Sequence, residues 1–243
     1  MCGRFVSPDD AAMERAWHLG RHNNNPFARR FNVAPTATIP VMRHASKSGE
    51  LEVCAARWGL VPHWWTDAKM PRFTFNARVE EARAKPMWRD ALRLARCVVP
   101  AEGWYEWQES ASIAPVAARK QPLFIHRRDG ELFAFAGLMA QWKPPDGGEP
   151  LVSCAVLTTS AAGHMTDVHT RMPVVLSSDA QTAWLNRELE DGNEALKIPS
   201  ASSAPDELEY YPVSTLVNNA RAESEELIRR LEHTTHDIAG ELF

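Results

Sequence analysis

Residues 123–159 read LFIHRRDGELFAFAGLMAQWKPPDGGEPLVSCAVLTT, and the fold class turns on them. Leu123–Arg127 and Leu132–Trp142 are apolar runs around Asp129-Gly130, a tight-turn dipeptide, and read as a strand pair. Lys143–Pro150 is a Pro/Gly loop, and Leu151–Thr159 is a further strand. Strands that follow one another without a crossover helix run antiparallel. Upstream, strands are expected around Thr38–Arg43, over Leu51–Leu60 and over Cys97–Pro100. Downstream, Val174–Leu176 and Tyr210–Val213 are extended. Helices are expected after Ser7-Pro8-Asp9-Asp10, where a serine cap leads a run ending at Gly20. Others are expected over Met87–Leu94, after the capping box Ser178-Asp179-Ala180-Gln181, and over Glu223–Leu231. Residues 21–30, Ser46–Glu50, Ser110–Lys120 and the serine-rich Asp191–Asp206 read as turns or loops. Strands and helices neither alternate as βαβ units nor repeat, which points to one α+β domain with a mostly antiparallel sheet.

The 243 residues suit one large domain or two small ones, with 44% hydrophobic and 24% charged residues. The net charge of -4 gives no global field for nucleic acid, so such a site has to be a local basic patch. No apolar stretch reaches transmembrane length and no signal peptide is evident, so a cytoplasmic protein is expected. Cys2, Cys54, Cys97 and Cys154 are widely spaced and suggest neither a disulfide framework nor a zinc site. The last three read as buried small hydrophobes. His164 and His169 are wrongly spaced for a metal pair on one helix face. No metal and no cofactor is expected. Nine tryptophans stand against three tyrosines. Trp58, Trp88, Trp104 and Trp184 read as core, and Trp107 fits core or ligand equally. Trp64 and Trp65, adjacent after Pro62-His63, are hard to place in one core because neighbours on an extended chain face opposite ways.

The N-terminus, Met1-Cys2-Gly3-Arg4-Phe5, carries distinctive chemistry. Loss of Met1 gives Cys2 a free amine and a thiol on one carbon. These titrate near about 8 and about 8.5, and a buried or cationic site is expected to raise the nucleophilic fraction. Such an aminothiol condenses with an aldehyde to an imine and then closes a thiazolidine. Gly3 removes bulk beside it, and Arg4 adds a permanent cation. Taken alone, the five residues describe an ordinary loose N-terminus.

Four segments set polar residues tightly among apolar strand ends: Cys2-Gly3-Arg4, Asn76-Ala77-Arg78, Trp104-Tyr105-Glu106-Trp107 and Val168-His169-Thr170-Arg171. With their neighbours they form the runs MCGRF, FNVAPT, RWGLVPHWW, FNARVE, CVVPAEGWYEW, VLTT and DVHTRMPVVL, in that order to about residue 177. A weaker echo follows at YPVSTLVNN. This series resembles the SOS response-associated peptidase (SRAP) family. The resemblance implies a single α+β domain, taken over residues 1–243, around a barrel-like β core; the residues themselves read as a loose tail over 233–243. It implies recognition of abasic sites in single-stranded DNA during the DNA damage response. The lesion is shielded by a covalent thiazolidine crosslink through Cys2, with possible lyase activity and autoproteolytic removal of Met1. The expected partner is single-stranded DNA, with nucleoid association when bound, and the protein is expected to be a monomer away from membranes.

Carried over residue by residue, Cys2 is the nucleophile and Asn76 the amide beside it. Glu106 is the proton-transfer carboxylate, with a pKa raised among aromatics. His169 exchanges protons in ring opening or reversal. Arg4, Arg78 and Arg171 are candidate phosphate contacts, and Trp64 and Trp65 candidate stacking platforms. Glu81 and Ala162 depart from the family's usual threonine and asparagine, a matter of fine positioning. Without the resemblance, Glu106 reads as a surface carboxylate, Asn76 as a turn residue and His169 as a loop histidine. Two other functions fit the residues: an N-terminal-nucleophile cysteine amidohydrolase, and a non-covalent single-strand-binding module whose tryptophans and arginines suffice.

Overall fold

The computed structural model describes residues 2–19, 27–45, 49–67, 69–108, 120–200 and 205–232. In chain order the elements are β1 (Phe5–Ser7), α1 (Asp10–Trp17), β2 (Arg30–Val33), β3 (Thr38–His44), β4 (Leu51–Trp58), β5 (Asn76–Arg78), α2 (Val79–Ala82), α3 (Pro86–Leu94), β6 (Arg96–Ala101), β7 (Gly103–Gln108), β8 (Gln121–Arg127), β9 (Phe133–Trp142), β10 (Leu151–Ser160), β11 (Arg171–Pro173), α4 (Ser178–Leu185), α5 (Gly192–Ser200) and β12 (Leu208–Pro212). β10 pairs β4, followed round by β3, β6 and β9, and β9 pairs β10 again. This ring is a small closed barrel in which β10–β4 is parallel and the other pairings are antiparallel. Closure satisfies strand edges that would otherwise stay open.

The second sheet, in the order β12-β8-β7-β1-β2, is antiparallel throughout. The chain passes from the barrel to this sheet between β6 and β7, at Glu102. Trp104 then packs edge-on against Phe133 and Phe135 of the barrel, at 5.4 and 5.8 Å between ring centroids. On the barrel's other side, Trp88 and Leu92 of α3 and Trp184 and Leu185 of α4 bury themselves against Val98 and Leu138. The architecture is thus one α+β domain with a mostly antiparallel, barrel-like core and flanking helices. Trp58, Trp88, Trp104 and Trp184 are core, as expected.

Several local expectations fail for physical reasons. β8 and β9 do not pair. β8 lies between β7 and β12, and β9 lies between β6 and β10, so Asp129-Gly130 turns the chain from one sheet into the other. The cap of α1 is Asp9, whose side chain accepts from Ala12 N at 2.8 Å, because Ser7 is still in β1. The cap of α4 is Ser177, and Gln181 accepts from Trp17 Nε1 at 2.6 Å. Part of the stretch read as the Asp191–Asp206 loop is α5, on which Ala195 is buried and Leu196 and Ile198 pack with it. The helix expected over Glu223–Leu231 is a single 3-10 turn, Glu225–Ile228, with Leu227 as its buried anchor. Met1, residues 20–26 with the helix end expected at Gly20, residues 46–48 and 68, the 109–119 connection, residues 201–204 of the serine-rich loop and residues 233–243 lie outside the described residues.

Candidate active site at the N-terminal strand

β1 is an interior strand of the second sheet, between β7 and β2, so the residues before it are not loose. Phe5 pairs with Trp104 and Val6 with Gly103, and Tyr105 N donates to Arg4 O at 3.0 Å. Continued by the same antiparallel count, this register sets Gly3 beside Glu106. Cys2 is 1% exposed and belongs to the apolar cluster of Phe5, Trp104, Val168 and Met172. Its main-chain carbonyl accepts from Asn76 Nδ2 at 2.7 Å. Asn76 opens β5, which is held in place by its pairing to β10 (Val156 with Asn76, Thr158 with Arg78). The Oδ1 atom of Asn76 is buried with no hydrogen-bond partner among the described residues.

Glu106 is 3% exposed, and burial pushes its pKa up to about 7. Burial also drives the Cys2 thiol well above its ordinary value, and the Glu106 carboxylate pushes it in the same direction. The expectation that the site raises the thiolate fraction is therefore reversed: low dielectric and a neighbouring carboxylate both disfavour a sulfur anion. A carboxyl group titrating near neutrality can give a proton or take one, so it is fitted to move the proton the thiol keeps.

His169 lies in the turn between Gly163–Asp167 and β11. Its Nδ1 accepts from Arg171 N at 2.9 Å, and burial lowers its pKa. Gln108 Nε2, at the end of the strand bearing Glu106, donates to Asp167 O at 2.8 Å. Val168 shares the Cys2 cluster. The histidine loop is thus closed against β7 and the N-terminal strand.

The candidate cations are placed differently. Arg78 ends β5 and is exposed. The Nη1 atom of Arg4 donates to Asn32 Oδ1 and to Val217 O, both at 2.9 Å. Asn32 in turn donates to Asn219 O and Ala222 O. Arg4 and Asn32 therefore anchor the YPVSTLVNN segment to the N-terminal strand. Arg171 faces the Glu80 carboxylate in a two-pronged contact, at 2.7 Å from Nη1 and 3.0 Å from Nη2.

Trp64 and Trp65 lie on the excursion that links β4 to Asn76. Their rings are 6.1 Å apart at 48°. Trp64 is 42% exposed, whereas Trp65 is partly packed, bonding Lys69 O through Nε1 at 3.0 Å and accepting from Trp142 Nε1 at 2.7 Å. The sequence reading missed Phe73, which is 83% exposed on the same excursion with a left-handed φ of 59°. An aromatic in that region is strained by about 1–2 kcal/mol, a cost no sequence pattern announces. It also missed Glu80, although that residue stands in the FNARVE run. Trp107 is partly buried and bonds Asn218 Oδ1 at 2.6 Å. A cleft of about 860 Å³ lined by Trp17, His18, His44 and Gln181 shares no residue with this site.

Comparison with known proteins gives the family and the fold. The chain matches the family described as SOS response associated peptidase (SRAP) over residues 1–220. Abasic site processing protein YoqW of Bacillus subtilis is 35% identical over 231 residues, covering 94% of this chain and 99% of that protein. Abasic site processing protein HMCES of Xenopus tropicalis is 32% identical over 256 residues, covering 91% of this chain and 76% of that protein. In fold alone, a crystal structure of a protein from Bacteroides thetaiotaomicron matches with a TM-score of 0.77 at 22% identity, over 95% of this chain and 100% of that one. Because the match runs from residue 1 to residue 220, past β12, the chain belongs to the SOS response-associated peptidase family.

Proposed function

We propose that this protein processes abasic sites in single-stranded DNA by coupling to them through Cys2. The observation that carries the reading is the burial of Cys2, held by Asn76 and close to the Glu106 carboxylate, just ahead of a strand locked inside a sheet. The names of its relatives supply the substrate class.

Once Met1 is removed, the Cys2 amine attacks the open-chain aldehyde of the abasic sugar. A C–N bond forms, and the carbonyl oxygen leaves as water with a proton supplied by Glu106. The thiol then adds across the imine: the C–S bond forms, the sulfur's proton passes to Glu106, and the nitrogen regains one. The second step is intramolecular and so favoured by proximity. Asn76 holds the Cys2 backbone and offers Oδ1 to the amine or to a sugar hydroxyl. His169 relays protons in ring opening. Arg78 is the most open phosphate contact, Arg4 and Arg171 add positive charge from anchored positions, and Trp64 and Trp65 receive unpaired bases. A thiol held protonated fits an amine-first route better than a cysteine amidohydrolase, which needs the thiolate as its first nucleophile.

The test is the appearance, on single-stranded DNA with one abasic site, of a band stable to denaturing electrophoresis without borohydride. It should be lost in Cys2→Ala. A stable band that survives Cys2→Ala would remove Cys2 from the chemistry.

A further inference from the structure

A carboxylate on a surface that takes up a polyanion costs affinity unless it serves another purpose. Glu80 is such a group. It stands in the first turn of α2, two residues after Arg78, with its side chain 53% exposed, and it engages Arg171, whose side chain is 13% exposed. Arg171 Nη2 also donates to Thr158 O at 2.6 Å. Thr158 lies at the end of β10, where β5 pairs on one side and β11 on the other. The guanidinium therefore laces β11 to the start of α2 across the end of β10. Arg–carboxylate forks of this kind fix orientation as well as adding energy.

The residue so fixed is the one that meets His169. A backbone N–H only donates, so the Nδ1 that accepts from Arg171 N bears no proton, and the neutral ring carries its proton on Nε2. On the other side of β10, the strand that leads into Glu80 begins with Asn76, which holds Cys2. We propose that Glu80 is a positioning residue: by clasping Arg171 it holds His169 in the Nε2–H tautomer and at a fixed offset from the Asn76–Cys2 arm. This rests on the proposed function for its catalytic consequence, but not for the tautomer.

Two readouts test it, using Met1-free protein carrying Glu80→Gln or Glu80→Ala. The first is single-turnover crosslinking over a range of abasic DNA concentrations. The maximal rate should fall by roughly 10- to 100-fold, the scale of a misplaced catalytic group. The half-saturating concentration should stay the same or fall, because a negative charge has left the DNA surface. Glu80→Asp should recover part of the rate. The second is the ¹⁵N spectrum of histidine-labelled protein, with His169 assigned by the signal lost in His169→Asn. Wild type should show one Nε2–H tautomer, and Glu80→Ala a mixture. An unchanged maximal rate with tighter binding would make Glu80 a mere charge brake and overturn the proposal, as would a tautomer unmoved by Glu80→Ala. If wild-type protein fails to crosslink, the functional reading fails, and the spectrum alone still decides the clasp.

Discussion

The side-chain amide of Asn76 holds the main-chain carbonyl of Cys2 at 2.7 Å, although the residues are 74 apart in sequence. The contact joins the segment that leads into the first strand of one sheet to a short strand paired with the barrel. It positions the backbone rather than the thiol, and so leaves amine and sulfur to the substrate.

Asn76→Ala should therefore loosen Cys2 rather than unfold the protein. One neutral hydrogen bond is worth about 1 kcal/mol, so urea denaturation should show a loss of that size. Crosslinking should slow by about tenfold or more through misplacement. Asn76→Asp should be slower still, because it sets a carboxylate against the Cys2 carbonyl oxygen. An Asp variant equal to wild type in rate would remove this contact from the mechanism.

Glu106 should trade stability for activity. Its folded pKa of about 7 lies above the ordinary 4.5, so between those values the folded state binds the extra proton. The associated stability is fully present below about pH 4.5 and is lost as pH rises through about 7. The full penalty is about 3 kcal/mol at the linkage rate per unit. Glu106→Gln should thus be more stable than wild type at pH 8 and gain less, or nothing, at pH 5, by urea denaturation at both. The same variant should bind DNA but crosslink roughly 10²–10⁴-fold more slowly. A variant with wild-type crosslinking kinetics would take Glu106 out of proton transfer.

On the DNA side, Trp64→Ala should weaken single-strand binding by about 1–3 kcal/mol if the ring receives one base. The fold should be little affected, because Trp64 is 42% exposed and outside the core. Trp65→Ala should also lower thermal stability, because Trp65 is packed. Arg78→Ala should weaken binding whatever the sequence and reduce the salt dependence by about one phosphate contact. Fluorescence anisotropy with single strands and intact duplex checks the binding effects, and thermal unfolding checks the stability of the two tryptophan variants. Equal affinity for both forms without salt dependence contradicts the account.

Arg96 should prove the most stabilising cation. It is buried and donates to the carbonyls of Leu92 and Trp184, both at 2.7 Å, of Arg93 at 3.1 Å and of Asn186 at 2.5 Å. It thereby closes the ends of α3 and α4, where partial negative charge gathers. Arg96→Met should cost about 3 kcal/mol or more, given that bonds to a charged group contribute about 1.5–3 each. Thermal unfolding would show it, with crosslinking kinetics of the remaining folded protein unchanged.

The sequence makes the chemistry easier to read than the topology. Cys2, Asn76 and Glu106 stand in short runs that set polar residues among apolar ones, but their roles come from the family resemblance; alone, Glu106 reads as a surface carboxylate and Asn76 as a turn residue. Their meeting depends on β1 entering the second sheet beside β7, and no local pattern states that register. Asp129-Gly130 is a good turn signal, yet a turn does not say whether its strands pair or part into two sheets. Around α5, the serines outweigh Ala195, Leu196 and Ile198 in the sequence, and the packing of those three against the core is what makes the helix. Arg96 gives no signal at all, because its partners are carbonyls at the ends of two helices that meet only in the fold.

The central claim is that the Cys2 amine, not the thiol alone, is the nucleophile. The most direct measurement compares two preparations on a single-stranded oligonucleotide with one abasic site: protein shown by intact mass to lack Met1, and protein whose Cys2 amine remains an amide behind an N-terminal extension. The account predicts that the first gives a borohydride-independent band with the mass of protein plus DNA less one water. The second should give none, although its thiol is intact. Cys2→Ser should leave only an imine that borohydride must trap. If the blocked protein crosslinks as well as the free one, the amine is not the nucleophile and the thiazolidine account is wrong.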